Sequence, residues 1–129
     1  MGSSILLQLV RDSITEVLQA QNKIDKTALI QNYPILSQPL SCQVEIFLDK
    51  ELRASYILKE ENSLVENIII CAKKAAFEDP TTTPLTISEY LHSSIKLTLF
   101  TPDGAISEED EPILNESYDG QQASSEPRS

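Results

Sequence analysis

Apolar residues near the start of the chain recur at spacings of three and four. They are Ile5, Leu6, Leu9, Val10, Ile14, Val17 and Leu18. This period predicts an amphipathic helix over about residues 4–20. The polar positions between them are predicted to face water: Arg11, Asp12, Thr15, Glu16 and Gln19. A short helical turn is predicted over residues 25–32, and Pro34 ends it because proline lacks the N–H that a helix needs.

Two stretches in the middle of the chain alternate between apolar and polar residues. The first has Cys42, Val44, Ile46 and Leu48 on one side, and the second has Leu52, Ala54, Tyr56 and Leu58. A polar break at residues 49–51 separates them. This pattern predicts two strands joined as a β-hairpin. The break lacks the glycine that tight hairpins prefer, so the turn type is left open.

A second long helix is predicted to begin after Ser63. Ser63 and Glu66 have the spacing of a capping box, which contributes about 1 kcal/mol to a helix start. A wide apolar stripe follows as far as Ala76, and the sequence Glu78-Asp79-Pro80 ends the helix. Thr86 and Glu89 form a second, weaker capping box. Residues 94–100 alternate again and predict a third strand.

The predicted order is helix, strand, strand, helix, strand, which is an α+β fold with two helices on one face of a small, mainly antiparallel sheet. A helical crossover makes the second and third strands run the same way, so the third can pair beside the first in the order 2-1-3. A chain of 129 residues can bury one core. We expect a domain over residues 1–104 and an acidic, disordered tail over 105–129, with Ile113-Leu114 and Tyr118 as short docking points.

The charge is concentrated at the end of the chain. The net charge is −10, and residues 101–129 contribute 8 acidic residues against the basic Arg128, a balance of −7. The pattern argues against nucleic acid as a partner, because phosphate binding requires clustered Lys and Arg, and the only adjacent basic pair is Lys73-Lys74. No apolar run is long enough to cross a membrane. With no secretory leader visible, we expect a cytoplasmic protein.

Few residues are candidates for chemistry. Cys42 and Cys71 are predicted to be reduced core thiols, and His92 a loop histidine. No metal or cofactor motif is present, so no cofactor is expected. Arg53, beside Ser55, is the best polar candidate. It is predicted either to pair with Glu45 across the hairpin or to form a site with Ser55 and the Glu78-Asp79 carboxylates.

Five segments together resemble the AMMECR-type domain, the protein A component of the AmmeMemoRadiSam set, found beside a Memo-like and a radical-SAM protein. They are residues 52–57, 63–66, 75–80, 84–86 and 95–102, within a resemblance that covers about residues 4–104. The most specific are Ala-Ala-Phe-Glu-Asp-Pro at 75–80 and Leu-Thr-Leu-Phe-Thr-Pro at 97–102. The resemblance implies an α+β fold, a cytosolic setting and an accessory role beside a modification enzyme.

The chain departs from this family in two ways. Its hairpin has Leu52 and Arg53 of the family's Leu-Arg-Gly-Cys-Ile-Gly, but Ala54 and Ile57 replace the glycines and Ser55 replaces the cysteine. The second lobe of family members is also expected to be missing. The leading hypothesis is therefore a non-catalytic module that binds a protein partner or a second copy. The alternatives are an enzyme or enzyme subunit with a site around Arg53, Ser55 and Asp79, and a nucleotide or nucleic-acid binder.

Overall fold

The fold is an antiparallel sheet with helices packed against it, seen in a computed structural model that describes residues 5–59, 62–79 and 83–114. A 3-10 turn, Pro34–Ser37, precedes the first strand. The elements in these ranges are α1 (Ile5–Gln19), α2 (Lys26–Asn32), β1 (Ser41–Leu48), β2 (Glu51–Leu58), α3 (Leu64–Phe77), α4 (Ile87–His92), β3 (Ser93–Thr101) and β4 (Gly104–Glu109). The predicted α+β fold is confirmed.

The strand order is β2-β1-β3-β4, and every neighbouring pair is antiparallel. The predicted order 2-1-3 is therefore confirmed, and β4 extends it. Val44 of β1 lies between Tyr56 of β2 and Leu97 of β3. Alternate residues of β1 and β3 are buried on this face of the sheet, where α3 packs on β1 and β2, and α1 packs on α3 and β3.

The prediction of a disordered tail from residue 105 is wrong for residues 105–109. These residues belong to β4, which pairs with β3 from Thr101↔Gly104 to Lys96↔Glu109. The strand is held at its end because the Asp110 carboxylate accepts the backbone N–H of Ile95 at 2.8 Å. Ile113 is 53% exposed. Tyr118 lies outside the described residues.

The prediction that Arg11 faces water is also wrong, since the residue is 5% exposed. Its guanidinium makes two bonds to the Asp110 carboxylate, at 2.9 and 3.0 Å, and donates to the carbonyl oxygens of Tyr90 and Ser93. The Tyr90 ring centroid lies 5.0 Å from the guanidinium carbon. These contacts join α1 to α4 and to the residue after β4. Helical periodicity alone could not reveal the buried acid partner.

The β1–β2 connection is a two-residue turn made without glycine. Asp49 has φ 55° and Lys50 has φ 69°. A type I′ hairpin turn requires positive φ at both central residues, which matches the right-handed twist of the flanking strands. Both residues adopt a backbone conformation that L-amino acids disfavour. The hairpin itself was predicted, while the turn is one residue shorter than the polar break suggested.

The two predicted capping boxes have opposite outcomes. Ser63 is the N-cap of α3, but its side chain makes no capping bond, so the prediction at Ser63 and Glu66 is wrong. Tertiary contacts hold this helix start instead, because Leu64 donates its N–H to the Gln38 carbonyl at 2.7 Å. At α4 the predicted box is present, with the Thr86 side chain accepting from the Glu89 N–H and the Glu89 carboxylate accepting from the Thr86 N–H.

Candidate functional site

A bulge in β2 sets the position of Arg53. The register pairs Ala54 with Ile46 and Leu52 with Phe47, so Arg53 is an extra residue with no partner on β1. Bulges locally disrupt the strand ladder and redirect a side chain. The predicted cross-strand ion pair between Arg53 and Glu45 is therefore wrong, and the residue directly opposite Glu45 is Ser55.

The partner of Arg53 is Glu89 on α4. Arg53 Nη2 donates to Glu89 Oε1 at 3.0 Å, and Nε lies 3.4 Å from Oε2. Arg53 Nη2 also donates to the Thr83 carbonyl at 2.9 Å. Both charged side chains are largely buried, at 11% and 18% exposure. The pair connects β2 to α4, and the contact with Thr83 connects β2 to the segment between α3 and α4.

The environment of Glu89 favours its charged form. Burial alone would raise the pKa of this carboxyl group, but the Arg53 guanidinium and the backbone N–H of Thr86 outweigh it and lower the pKa. The carboxylate therefore remains ionised near neutral pH and serves two donors at once. A single side chain completes the helix cap and neutralises Arg53.

Ser55 and Asp79 lie close together, but they are not arranged as a nucleophile and its base. Asp79 Oδ2 accepts the backbone N–H of Ser55 at 3.4 Å. Because β2 is the outer strand, this carboxylate covers an outward-facing N–H at the sheet edge. Glu78 is directed elsewhere, since it accepts from Lys74 of the same helix at 3.1 Å.

The structure thus places Arg53, Ser55 and Asp79 along the outer edge of β2, together with Glu89. Arg53 Nη1 is buried and has no hydrogen-bond partner within the described part of the chain. The sequence had identified Glu89 as a helix cap, but nothing in its spacing related it to Arg53. The proximity follows from the bulge and from the path of the α3–α4 connection.

The two thiols are core groups, as predicted. Cys42 and Cys71 are free and fully buried. Cys71 Sγ donates to the Tyr56 carbonyl at 2.9 Å, across the interface between α3 and β2. The hydrogen bond with the Cys71 thiol, together with burial, raises the pKa of the Cys42 thiol. His92 ends α4, with Nδ1 lying 2.9 Å from the Ser88 carbonyl oxygen.

A groove of about 190 Å³ lies between α1 and α2. Its lining mixes apolar side chains, such as Leu9 and Leu29, with the charged residues Asp12, Lys23 and Asp25. Within the described ranges, no group of three or more His, Cys, Asp or Glu side chains is arranged to hold a metal ion. No helix in those ranges is both long and apolar enough to cross a membrane.

Comparison with known proteins decides the family. A family model described as AMMECR1 matches residues 7–122, which is most of the chain. The chain belongs to the AMMECR1 family. The resemblance noted from its motifs is thereby confirmed, and the AMMECR1 match extends beyond β4.

A solved structure with a similar fold supports the architecture. An uncharacterised protein from Pyrococcus horikoshii superposes with a TM-score of 0.67 at 23% identity, over 76% of this chain. The chain spans 50% of that protein's length. At this identity the likeness establishes the fold alone. No curated protein matches the chain.

Proposed function

We propose that this AMMECR1-family chain is a non-catalytic binding or accessory module that works beside a radical-SAM-associated modification system. The observation that carries the proposal is the use of Arg53. Its guanidinium is bound to Glu89 and to the Thr83 carbonyl, so its charge is neutralised within the fold. A catalytic arginine would instead present its charge to a substrate.

The other two site residues support the same role. Ser55 stands where the family motif has cysteine, and a serine hydroxyl needs an adjacent base to become a nucleophile. The Asp79 carboxylate accepts the Ser55 backbone N–H, and this contact with the strand backbone supports a structural function for Asp79. The site residues therefore brace the hairpin edge against the α3–α4 segment.

The test is recovery of a partner by the full chain from cells of its own species, with Ser55→Ala as the matched variant. We expect a stoichiometric complex that contains a radical-SAM protein, recovered equally by both forms. Quantitative mass spectrometry of the purified complex measures the ratio. A monodisperse monomer by light scattering that recovers no partner contradicts the proposal.

One observation favours the alternative of an enzyme or enzyme subunit. Asp79 contacts the Ser55 backbone N–H, Arg53 lies two residues away on the same strand, and its Nη1 has no hydrogen-bond partner among the described residues. An anionic substrate group would accept from that nitrogen. Under this alternative Ser55→Ala abolishes a chemical change in the partner, while complex formation persists. Intact-mass analysis of the recovered partner separates the two functions.

A further inference from the structure

Residues 104–114 follow the β3–β4 turn and run along the outer side of β3, and we call this segment the strap. Its strand, β4, pairs with β3 and with no other strand in the described part of the chain. The residues of β4 are exposed apart from the half-buried Glu108, and even Ile106 is 55% exposed. Burial of apolar surface is the main force that holds a strand to a domain, so it contributes little to holding β4.

A group of buried hydrogen bonds holds the strap at Asp110, the residue after β4. The Asp110 carboxylate accepts two bonds from the Arg11 guanidinium, at 2.9 and 3.0 Å, and one from the Ile95 N–H at 2.8 Å. The Asp110 N–H donates to the Ile95 carbonyl at 3.0 Å. The Asp110 side chain is 5% exposed, so these bonds lie away from water. One residue therefore joins the end of β4 to both α1 and β3.

Arg11 is the fixed half of this contact. Its guanidinium also donates to the carbonyl oxygens of Tyr90 and Ser93, at 3.3 and 2.9 Å, and the Tyr90 ring centroid lies 5.0 Å from the guanidinium carbon. These two partners belong to α4 and β3, so they stay in place if the strap moves. The arginine is thus anchored in the body of the domain, and its acidic partner belongs to the strap.

The ion pair favours an all-or-none movement of the strap. A buried charge that loses its partner is costly as long as water is excluded, so a small displacement of Asp110 is strongly disfavoured. Detachment of the whole segment admits water to both charges and lowers that cost. The strap is therefore expected to be either closed along its length or open.

Cross-strand side-chain pairs add smaller contributions. Lys96 of β3 lies opposite Glu109 of β4. The hydroxyl oxygens of Thr98 and Ser107 lie 3.0 Å apart. Pairs of this kind at a sheet edge contribute less than a buried ion pair costs to break.

The strap hides one edge of β3. The Ile95 carbonyl accepts an N–H from the strap, and bonded pairs recur at every second position of an antiparallel ladder, so Leu97 and Leu99 also direct their backbone groups toward β4. Lys96 and Thr98 direct theirs toward β1. The Leu97 and Leu99 side chains are 1% and 5% exposed. Detachment of the strap therefore leaves a strand edge that carries alternate apolar residues, and such an edge pairs readily with another chain.

We infer that the strap opens from β3 as one unit while the rest of the domain stays folded, and that the Arg11–Asp110 ion pair is the latch that keeps it closed. Segments with few buried apolar contacts open locally at a lower free energy than global unfolding. The closed form hides the β3 edge, and the open form exposes it for strand pairing. The latch does not depend on the proposed binding function, because it uses none of the residues at the β2 edge.

Amide hydrogen exchange of the full, ¹⁵N-labelled chain, followed by NMR, tests the opening without any substitution. Leu97 and Leu99 lose their amide partners when the strap opens, whereas Lys96 and Thr98 keep theirs on β1. We expect the first two amides to exchange at least about tenfold faster than the second two, after correction for intrinsic rates. Added urea should accelerate the first two less steeply, since opening of the strap exposes less surface than global unfolding.

A matched pair of variants tests the latch. Asp110→Asn leaves the Arg11 charge unpaired, while Glu111→Gln removes the same charge from the next residue, whose contact with Arg11 uses its backbone carbonyl. We expect Asp110→Asn to speed exchange at Leu97 and Leu99 about 100-fold, because a buried charge without its partner is strongly destabilising. Exchange in Glu111→Gln should stay within about twofold of the parent chain.

A reversible crosslink tests the same movement by preventing it. Thr98 and Ser107 lie opposite each other on β3 and β4, so cysteines at both positions are within reach of a disulfide. We expect the oxidised chain with Thr98→Cys and Ser107→Cys to exchange about tenfold more slowly at Leu97 and Leu99, close to the rate of Lys96. Reduction of the disulfide should restore the faster exchange.

The inference is overturned if Leu97 and Leu99 exchange at the rates of Lys96 and Thr98 with the same dependence on urea, because the strap then opens only with the whole domain. Equal exchange in Asp110→Asn and Glu111→Gln also overturns it, since the ion pair is then not the latch. The same holds if the crosslink leaves exchange at Leu97 and Leu99 unchanged.

Discussion

Arg53 of β2 and Glu89 of α4 form a two-point contact, with Nη2 3.0 Å from Oε1 and Nε 3.4 Å from Oε2. The same Oε1 accepts the Thr86 N–H at 3.0 Å. One carboxylate thus caps the start of α4 and binds the arginine at the β2 bulge. This arrangement gives the arginine of the family motif a structural role that can be measured.

Replacing Glu89 with Gln isolates the charge of this contact. Glutamine still accepts the Thr86 N–H, so the cap remains, but the ion pair is lost. We expect Glu89→Gln to lower the free energy of unfolding by about 1–3 kcal/mol, because hydrogen bonds to charged groups contribute that much when buried. Urea denaturation at pH 7 measures the loss. The control is Glu66→Gln, whose exposed pair with Lys26 spans 3.7 Å and should cost under about 0.5 kcal/mol.

The Glu89→Gln variant also tests how the stability of the fold depends on pH. The pKa of Glu89 is lowered in the folded protein, although burial alone would raise it, because Arg53 and Thr86 donate to the carboxylate. A lowered pKa stabilises the fold above the unfolded value, near 4.5, and that stability is lost as the pH falls through the folded pKa. The difference in unfolding free energy between parent and Glu89→Gln should therefore shrink between pH 5 and acid pH. If the difference in unfolding free energy stays constant from pH 7 downward, Glu89 is not ionised in the folded protein and the prediction is wrong.

The sequence predicted most helices and strands well, because the spacing of apolar residues along a helix or strand follows directly from which side chains are buried. It predicted β1, β2 and β3 from residues such as Val44 and Leu97, whose neighbours point to the opposite face. It missed β4, because the β4 residues after Gly104 are mostly acidic or polar and the two apolar ones, Ala105 and Ile106, are adjacent and show no strand alternation. It also missed the partners of Arg53 and Arg11. Both partners are distant in sequence, and no local pattern specifies such long-range contacts.

The Arg11–Asp110 pair is expected to be the most costly polar contact to break. Both side chains are buried, at 6% and 5% exposure, and removal of one leaves the other charge uncompensated. Arg11→Met should destabilise the fold by about 3–5 kcal/mol. Thermal and urea unfolding measure the effect. Lys74→Met, which breaks an exposed pair with Glu78, should cost far less, and equal losses of unfolding free energy at the two sites would refute the buried character of the Arg11–Asp110 pair.

The two helix starts offer a comparison between residues that look alike in sequence. Thr86→Ala removes a side-chain bond to the Glu89 N–H at 3.1 Å, and should cost about 1 kcal/mol. Ser63→Ala removes a hydroxyl that makes no capping bond, so its cost should be near zero. Unfolding free energies in urea distinguish them. A larger loss at Ser63 than at Thr86 would mean that the Ser63 hydroxyl caps α3 after all.

The hairpin turn provides a stabilising change. Lys50 has φ 69°, a conformation that costs an L-residue about 1–2 kcal/mol and that glycine adopts freely. Lys50→Gly should raise the free energy of unfolding by about 0.5–1 kcal/mol, since glycine also loses more entropy on folding. Lys59→Gly is the control, because it removes the same charge just after β2 at a residue without positive φ. Urea denaturation of both variants should show a higher free energy of unfolding for Lys50→Gly and no increase for Lys59→Gly. Equal changes would mean that the loss of a positive charge, and not relief of backbone strain, causes the effect.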